Sequence, residues 1–241
     1  MSHGPQKKLV DLSFAIPSIC ARELETDKIQ IGLVPIAEAV RQDLEVVPGV
    51  AITCYGAVRS ILLFSRVPWT KVCTLAADLS SRTSVQLARI ILRESYGVEP
   101  EVVQQPPVLA DMLQGHDAAL IIGDPALHIN PHDEPYHWLD LGSEWLRLTG
   151  LPMVFAAWAG KPGIDVDAIR SITTGSYEYG KTRIGEIVEH EYQARGIGKD
   201  LATRYLTHHI RYELGKEEQK GIKTFVELAR LAPASAGMQV R

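Results

Sequence analysis

VCTLAADLSSRTSVQLARIILRESY, residues 72–96, is the stretch on which the fold turns. An apolar run at 72–77 ends in a short polar turn, Asp78-Leu79-Ser80-Ser81-Arg82-Thr83-Ser84, and a helical repeat of Val85, Leu87, Ala88, Ile91 and Leu92 follows. A strand that feeds a helix through such a turn offers backbone N–H groups and the positive end of the helix dipole to an anion. One hydroxyl suffices to cap a helix. Ser81, Arg82, Thr83 and Ser84 exceed that need and are candidate ligands for a carboxylate or phosphate.

Outward from this turn, strand and helix signals alternate. Upstream, residues 9–16 alternate as a strand, 18–27 read as a helix capped by Ser18, 29–34 as an apolar strand closed by Pro35, and 35–41 as a second helix. Two β-rich runs, 46–53 and 58–65, meet at Cys54-Tyr55-Gly56-Ala57 as a hairpin or a crossing pair. Downstream, 101–104 and 118–122 read as strands around a helix at 107–114, and 153–159 as a further strand. The remainder reads as helices at 166–174, 179–194, 199–214 and 217–231. Two α/β units joined by β segments predict a two-lobed clamshell: residues 1–70 with 153–241 as lobe one, and 71–152 as lobe two. Its ligand would sit in the cleft, at the carboxyl ends of strands. Gly56 and Ser60 on one side, and Gly123 and Asp124 at another strand end, are candidates to line that cleft, although turn geometry alone would also account for Gly and Asp there.

Composition narrows the function. The chain has 241 residues, 46% of them apolar, and a formal net charge of -4. Nucleic acid is not expected as a partner, because phosphate neutralisation needs a basic face and no Lys/Arg cluster of useful size occurs. No run is apolar and long enough to span a bilayer, and residues 1–8 lack the apolar core of a secretory signal, so no membrane association and a cytoplasmic location are expected. Cys20, Cys54 and Cys73 lack metal or redox spacing and read as buried reduced thiols.

Two motifs invite chemistry that their context refuses. Gly175-Ser176-Tyr177-Glu178-Tyr179-Gly180-Lys181-Thr182 fits the literal phosphate-loop pattern, but the residues before it read as an amphipathic helix where the loop needs a buried strand. His128, His132 and His137 lie in a loop broken by Pro131 and Pro135, which prevents two rings from sharing a helix face, so no metal is expected. No Ser-His-Asp order, catalytic carboxylate pair or dinucleotide turn can be assembled, and no cofactor is called for.

The blocks Ile31-Gly32-Leu33-Val34-Pro35, Gly56 through Ser65, Ser80-Ser81-Arg82-Thr83-Ser84, Ala118 through Leu127, Asp140 through Trp145 and Leu151 through Trp158 resemble, in this order, the chorismate dehydratases of the futalosine route to menaquinone. The resemblance implies an α/β, two-lobed fold of the type II periplasmic-binding-protein kind with a helical C-terminal region. It implies a lyase that converts chorismate to 3-[(1-carboxyvinyl)oxy]benzoate, with Arg82, Thr83 and Ser84 holding one carboxylate and the 56–60 turn contributing from the other side. A substrate carboxylate or a bound water would then take the ring proton. Family members open with a strand and a Tyr-x-Asn-x-x-Pro turn whose Asn lies in the pocket; that segment has no counterpart here. The catalytic residue is therefore unassigned; a start codon placed too late is expected ahead of the alternative, a truncated and inactive relative, and the 241-residue chain is expected to be unstable or poorly active. The competing expectations are a non-catalytic small-carboxylate-binding protein of the same fold and the sister dihydroxynaphthoate synthase.

Overall fold

A computed structural model describes residue 1, residues 3–78 and residues 82–231. Nine strands form two sheets among the described residues. The first sheet contains β1 (Ile31–Pro35), β2 (Glu45–Cys54), β8 (Met153–Gly160) and β9 (Arg211–Leu214) in the order β1-β8-β2-β9, every pairing antiparallel. The second contains β3 (Ile61–Ser65), β4 (Thr74–Ala77), β5 (Glu101–Gln104), β6 (Ala118–Ile122) and β7 (His137–Asp140) in the order β5-β4-β6-β3-β7. Within it β4 runs parallel to β5 and β6, whereas β3 is antiparallel to β6 and β7. All five residues of β3 are buried, as expected of a central strand covered on both faces.

The helices are α1 (Pro17–Glu25), α2 (Ile36–Arg41), α3 (Arg82–Tyr96), α4 (Leu109–Gly115), α5 (Asp124–His128), α6 (Leu141–Thr149), α7 (Val166–Lys181), α8 (Ile184–Glu191), α9 (Lys199–Arg204) and α10 (Lys216–Leu231). The apolar face of α3, with Leu87, Ala88 and Ile91 fully buried, joins β8 and α10 in one continuous core. Phe225 of α10 meets Trp145 of α6 edge-on at 6.2 Å, and the Trp145 indole N–H donates to the Pro152 carbonyl at 3.1 Å. The last helix therefore packs on the first sheet and on α3 and α6, as a helical C-terminal region packing back on the body requires.

Two chain crossings link the sheets, and α6 governs the first. Asp140 caps α6 by accepting from the amides of Gly142 and Ser143, and accepts also from Val58 and Arg59 in the crossing segment. Gly142 is required by this close approach, since a Cβ there would lie 2.4 Å from the Gly56 carbonyl oxygen.

Several expectations need correction. The runs 46–53 and 58–65 are the crossing alternative, not a hairpin: β2 and β3 belong to different sheets, so β3 joins the second unit and the crossing falls before residue 61, not near 70. Residues 9–16 form no strand. A 3-10 turn, Pro5–Leu9, precedes an extended segment in which Phe14 is 81% exposed; alternation makes a strand only where a neighbour takes up its hydrogen bonds and buries one face. The first residue of α1 is Pro17, favoured there by its fixed φ, and Ser18 makes no cap. Residues 199–214 are not one helix: α9 widens into a π turn, Tyr205–His209, and the chain then pairs as β9 with β2. The stretch resembling a phosphate loop lies largely inside α7, whose hydrogen-bonded backbone offers no cradle.

Candidate functional site

The register of the second sheet gathers three strand termini at one edge. Parallel pairing sets Ala77 of β4 beside Leu120 of β6, and antiparallel pairing sets Ile61 of β3 opposite Ile122. The ends of β4 and β6 and the start of β3 therefore open together, where ligand sites of α/β sheets form. The amide of Gly123 donates to the Ser60 carbonyl at 2.7 Å, closing this edge. Gly123 adopts φ 72°, ψ -145°, a conformation open essentially to glycine alone, and Asp124 begins α5 directly after it.

Beside this edge lies a cavity of about 860 Å³, within the range of small-molecule sites. Asp124 and Leu127 form part of one wall; Arg195, Ile197, Ala202 and Tyr205 of the helical region form part of the other. Arg195 holds Asp124 Oδ2 at 2.9 Å and also Glu191 at 3.2 Å. The Tyr205 hydroxyl donates to Ser60 Oγ at 3.0 Å. Burial raises the Tyr205 phenol above its ordinary value, against the opposing hydrogen bond of Ser60, so it stays protonated as a donor.

The expected site residues separate into two groups on neighbouring strand ends. Ser60, Gly123 and Asp124 stand together at the cavity edge, although Asp124 alone of the three lines the cavity. Arg82 and Thr83, at the start of α3, meet α2: the Arg82 guanidinium is 2.7 Å from Glu38 Oε1, and Thr83 Oγ1 accepts from the Ala37 amide at 3.2 Å. Ser84 is buried, and Ser81 lies outside the described residues. Gly56, at φ 104°, belongs to the crossing segment under α6.

Tyr205 and Arg195 escape a reading of the sequence, because both sit in a region whose periodicity announces only helix. Among the described residues, no group of three or more His, Cys, Asp or Glu is arranged to hold a metal ion. No helix among them is long and apolar enough to cross a membrane.

Comparison with known proteins gives this geometry a context. The chain is 28% identical over 235 residues to a chorismate dehydratase from Thermus thermophilus, covering 88% of this chain and 84% of that one. Its fold is similar to that of a protein of Archaeoglobus fulgidus solved by X-ray crystallography, with a TM-score of 0.69 at 15% identity, over 91% of this chain and 84% of the other. The periplasmic aliphatic sulphonate binding protein SsuA from Escherichia coli superposes with a TM-score of 0.58 at 14% identity, over 92% and 77% of the two chains. The architecture is thus periplasmic-binding-protein-like, as the resemblance implies. A family model described as menaquinone biosynthesis matches residues 3–231, and with nearly all of its length so accounted for the chain belongs to that family.

Proposed function

We propose that the chain is a carbon–oxygen lyase that dehydrates chorismate to 3-[(1-carboxyvinyl)oxy]benzoate. The ring C–O bond breaks, a ring proton leaves, and an aromatic ring and water result. The observation that carries this reading is the family match from residue 3 to residue 231, combined with likeness to a chorismate dehydratase over most of both chains. The cavity beside the strand ends suits such a substrate in size and has Tyr205, Arg195 and Asp124 among its lining residues.

The reaction needs orientation and charge placement more than a dedicated nucleophile. Gly56, Ser60, Ser81, Arg82, Thr83, Ser84, Gly123 and Asp124 are the proposed binding set; of its described members Asp124 alone lines this cavity, and the others would act from the adjoining strand ends and crossing segment. Arg82 would exchange its partner Glu38 for a substrate carboxylate, or serve both from one guanidinium. Asp124 already has a cationic partner in Arg195, which favours the substrate's own carboxylate or a bound water as the acceptor of the ring proton.

The test incubates the purified chain with chorismate and follows its disappearance and the aromatic ether by chromatography. Slow conversion, with one aromatic ether formed per chorismate consumed, is expected of this chain, and Arg82→Ala should reduce kcat/KM by roughly tenfold or more, the cost of one charge-assisted contact. Chorismate bound but never consumed would leave a carboxylate-binding protein in place of the lyase.

A further inference from the structure

Ser60 was a natural choice for a ligand-contacting residue, yet it is only 4% exposed and does not line the cavity, whereas Tyr205, whose hydroxyl lies 3.0 Å from Ser60 Oγ, does. We propose that Tyr205 supplies the hydroxyl that meets the substrate in this site and that Ser60 is its positioning residue. The assignment rests on the chorismate reading above and adds a contact from the helical region.

Three observations support it. The Tyr205 ring packs against the continuous core, so the side chain is fixed, and the residue lines the cavity. The segment that carries it is tied to the second sheet's edge: Arg195 to Asp124 at 2.9 Å, His128 Nε2 to the Arg195 carbonyl at 2.7 Å, and His209 Nδ1 to the Ala57 carbonyl at 3.0 Å. Tyr205 also opens the π turn, a rare geometry found disproportionately at functional sites.

The chemistry is that of two rotatable hydroxyls. Without ligand, the phenol donates to Ser60. When an anionic oxygen enters, Tyr205 O–H can turn to it while Ser60 O–H donates to the phenolic oxygen, so the pair reorients without transferring a proton. Arg183 and Arg195, the guanidinium groups on the same wall, are already paired with Glu186, Asp124 and Glu191, which leaves the phenol as a donor that can be redirected without breaking an ion pair.

The experiment compares wild type, Tyr205→Phe, Ser60→Ala and the double variant. Isothermal titration with isophthalate, an aromatic dicarboxylate, is run beside chorismate turnover and thermal melting. Tyr205→Phe should weaken isophthalate binding and kcat/KM by roughly tenfold with little change in Tm. Ser60→Ala should do the same to a lesser degree, and the double variant should be no worse than Tyr205→Phe, because Ser60 acts through the phenol. Wild-type affinity in Tyr205→Phe, or losses that multiply in the double variant, would overturn the assignment. Ser60→Ala leaves the ring in place, so unchanged affinity there removes the positioning role even if Tyr205→Phe folds poorly. A wild type that binds isophthalate through Tyr205 but consumes no chorismate would sink the lyase reading alone; a wild type that binds neither would sink both.

Discussion

Asp140 holds Arg59 by its backbone amide and not by a hydrogen bond to its side chain: Oδ2 accepts from the Arg59 amide at 2.7 Å, while the guanidinium donates to the carbonyls of Ala126 and Ile129 at 2.8 and 2.5 Å. Oδ1 accepts from the amides of Val58, Gly142 and Ser143, each at 3.0 Å. One buried carboxylate thus caps α6 and fixes the crossing between the sheets, where Arg59 adopts φ 65°. Asp140→Ala would strand buried amides and should destabilise the fold by about 3 kcal/mol or more. Asp140→Asn, which keeps an acceptor at the Oδ1 position but faces the Arg59 amide with an NH2 group, should cost less. Chemical denaturation that ranks the two variants equally would show that the crossing does not depend on this carboxylate.

Gly123 offers a cleaner separation of backbone from packing. A Cβ there meets nothing within 4 Å, so any cost of Gly123→Ala comes from its φ of 72°. About 1–3 kcal/mol is expected for forcing a side chain into that region. Gly185, within α8 and equally uncrowded, is the control: Gly185→Ala should be neutral or stabilise by up to about 1 kcal/mol. Melting both variants checks the pair; equal shifts would mean that Gly123 is not held in its strained form in solution.

Much of the fold is legible locally, and the exceptions share a cause. The strands Glu101–Gln104 and Ala118–Ile122 match their expected bounds because apolar or β-branched runs stop at clear turn signals. The extended segment before α1 has the same alternation but no neighbour, so pattern alone misleads there. β9 is invisible in its own sequence, because Arg211–Leu214 becomes a strand only by pairing with β2, more than a hundred residues away. The site divides likewise. Asp124 sits at a strand end and could be picked out, but Tyr205 acquires meaning only from Ser60, a partner 145 residues earlier in the chain. Arg82 was legible as a guanidinium at a helix start; its engagement with Glu38 of α2 was not.

That engagement carries its own prediction. Arg82 Nη1 lies 2.7 Å from Glu38 Oε1, with side-chain exposures of 40% and 6%, and Glu38 also receives Arg41 Nε at 3.0 Å. Since Arg82 is partly solvated, the pair should be worth only about 1 kcal/mol, reduced at high salt. A double-mutant cycle of Arg82→Ala and Glu38→Gln, read by denaturation at low and high ionic strength, should give a coupling of that size. No coupling would mean that Arg82 stands free of α2 in solution and reaches the cleft without exchanging a partner.

Asp117 makes the stability depend on pH in a direction that can be worked out. Burial opposes its ionisation, but the amides of Cys73 and Thr74 at 3.0 Å each, the Thr74 hydroxyl at 3.1 Å and the nearby Arg66 together hold the carboxyl below the ordinary aspartate value. A carboxyl depressed in the folded state stabilises it fully above the unfolded-state pKa, and that contribution is lost as pH falls through the folded-state value. Acid titration of stability should therefore show a loss that begins near the ordinary aspartate range and continues below it. Asp117→Asn should lower stability at neutral pH by about 1–3 kcal/mol, since it removes the charge that the two amides and the hydroxyl at the start of β4 point toward. The same variant should flatten the acid limb, because the group that titrates is gone. An acid limb of unchanged steepness in Asp117→Asn would assign the pH dependence to other carboxylates and leave the β4 cap without a measurable electrostatic role.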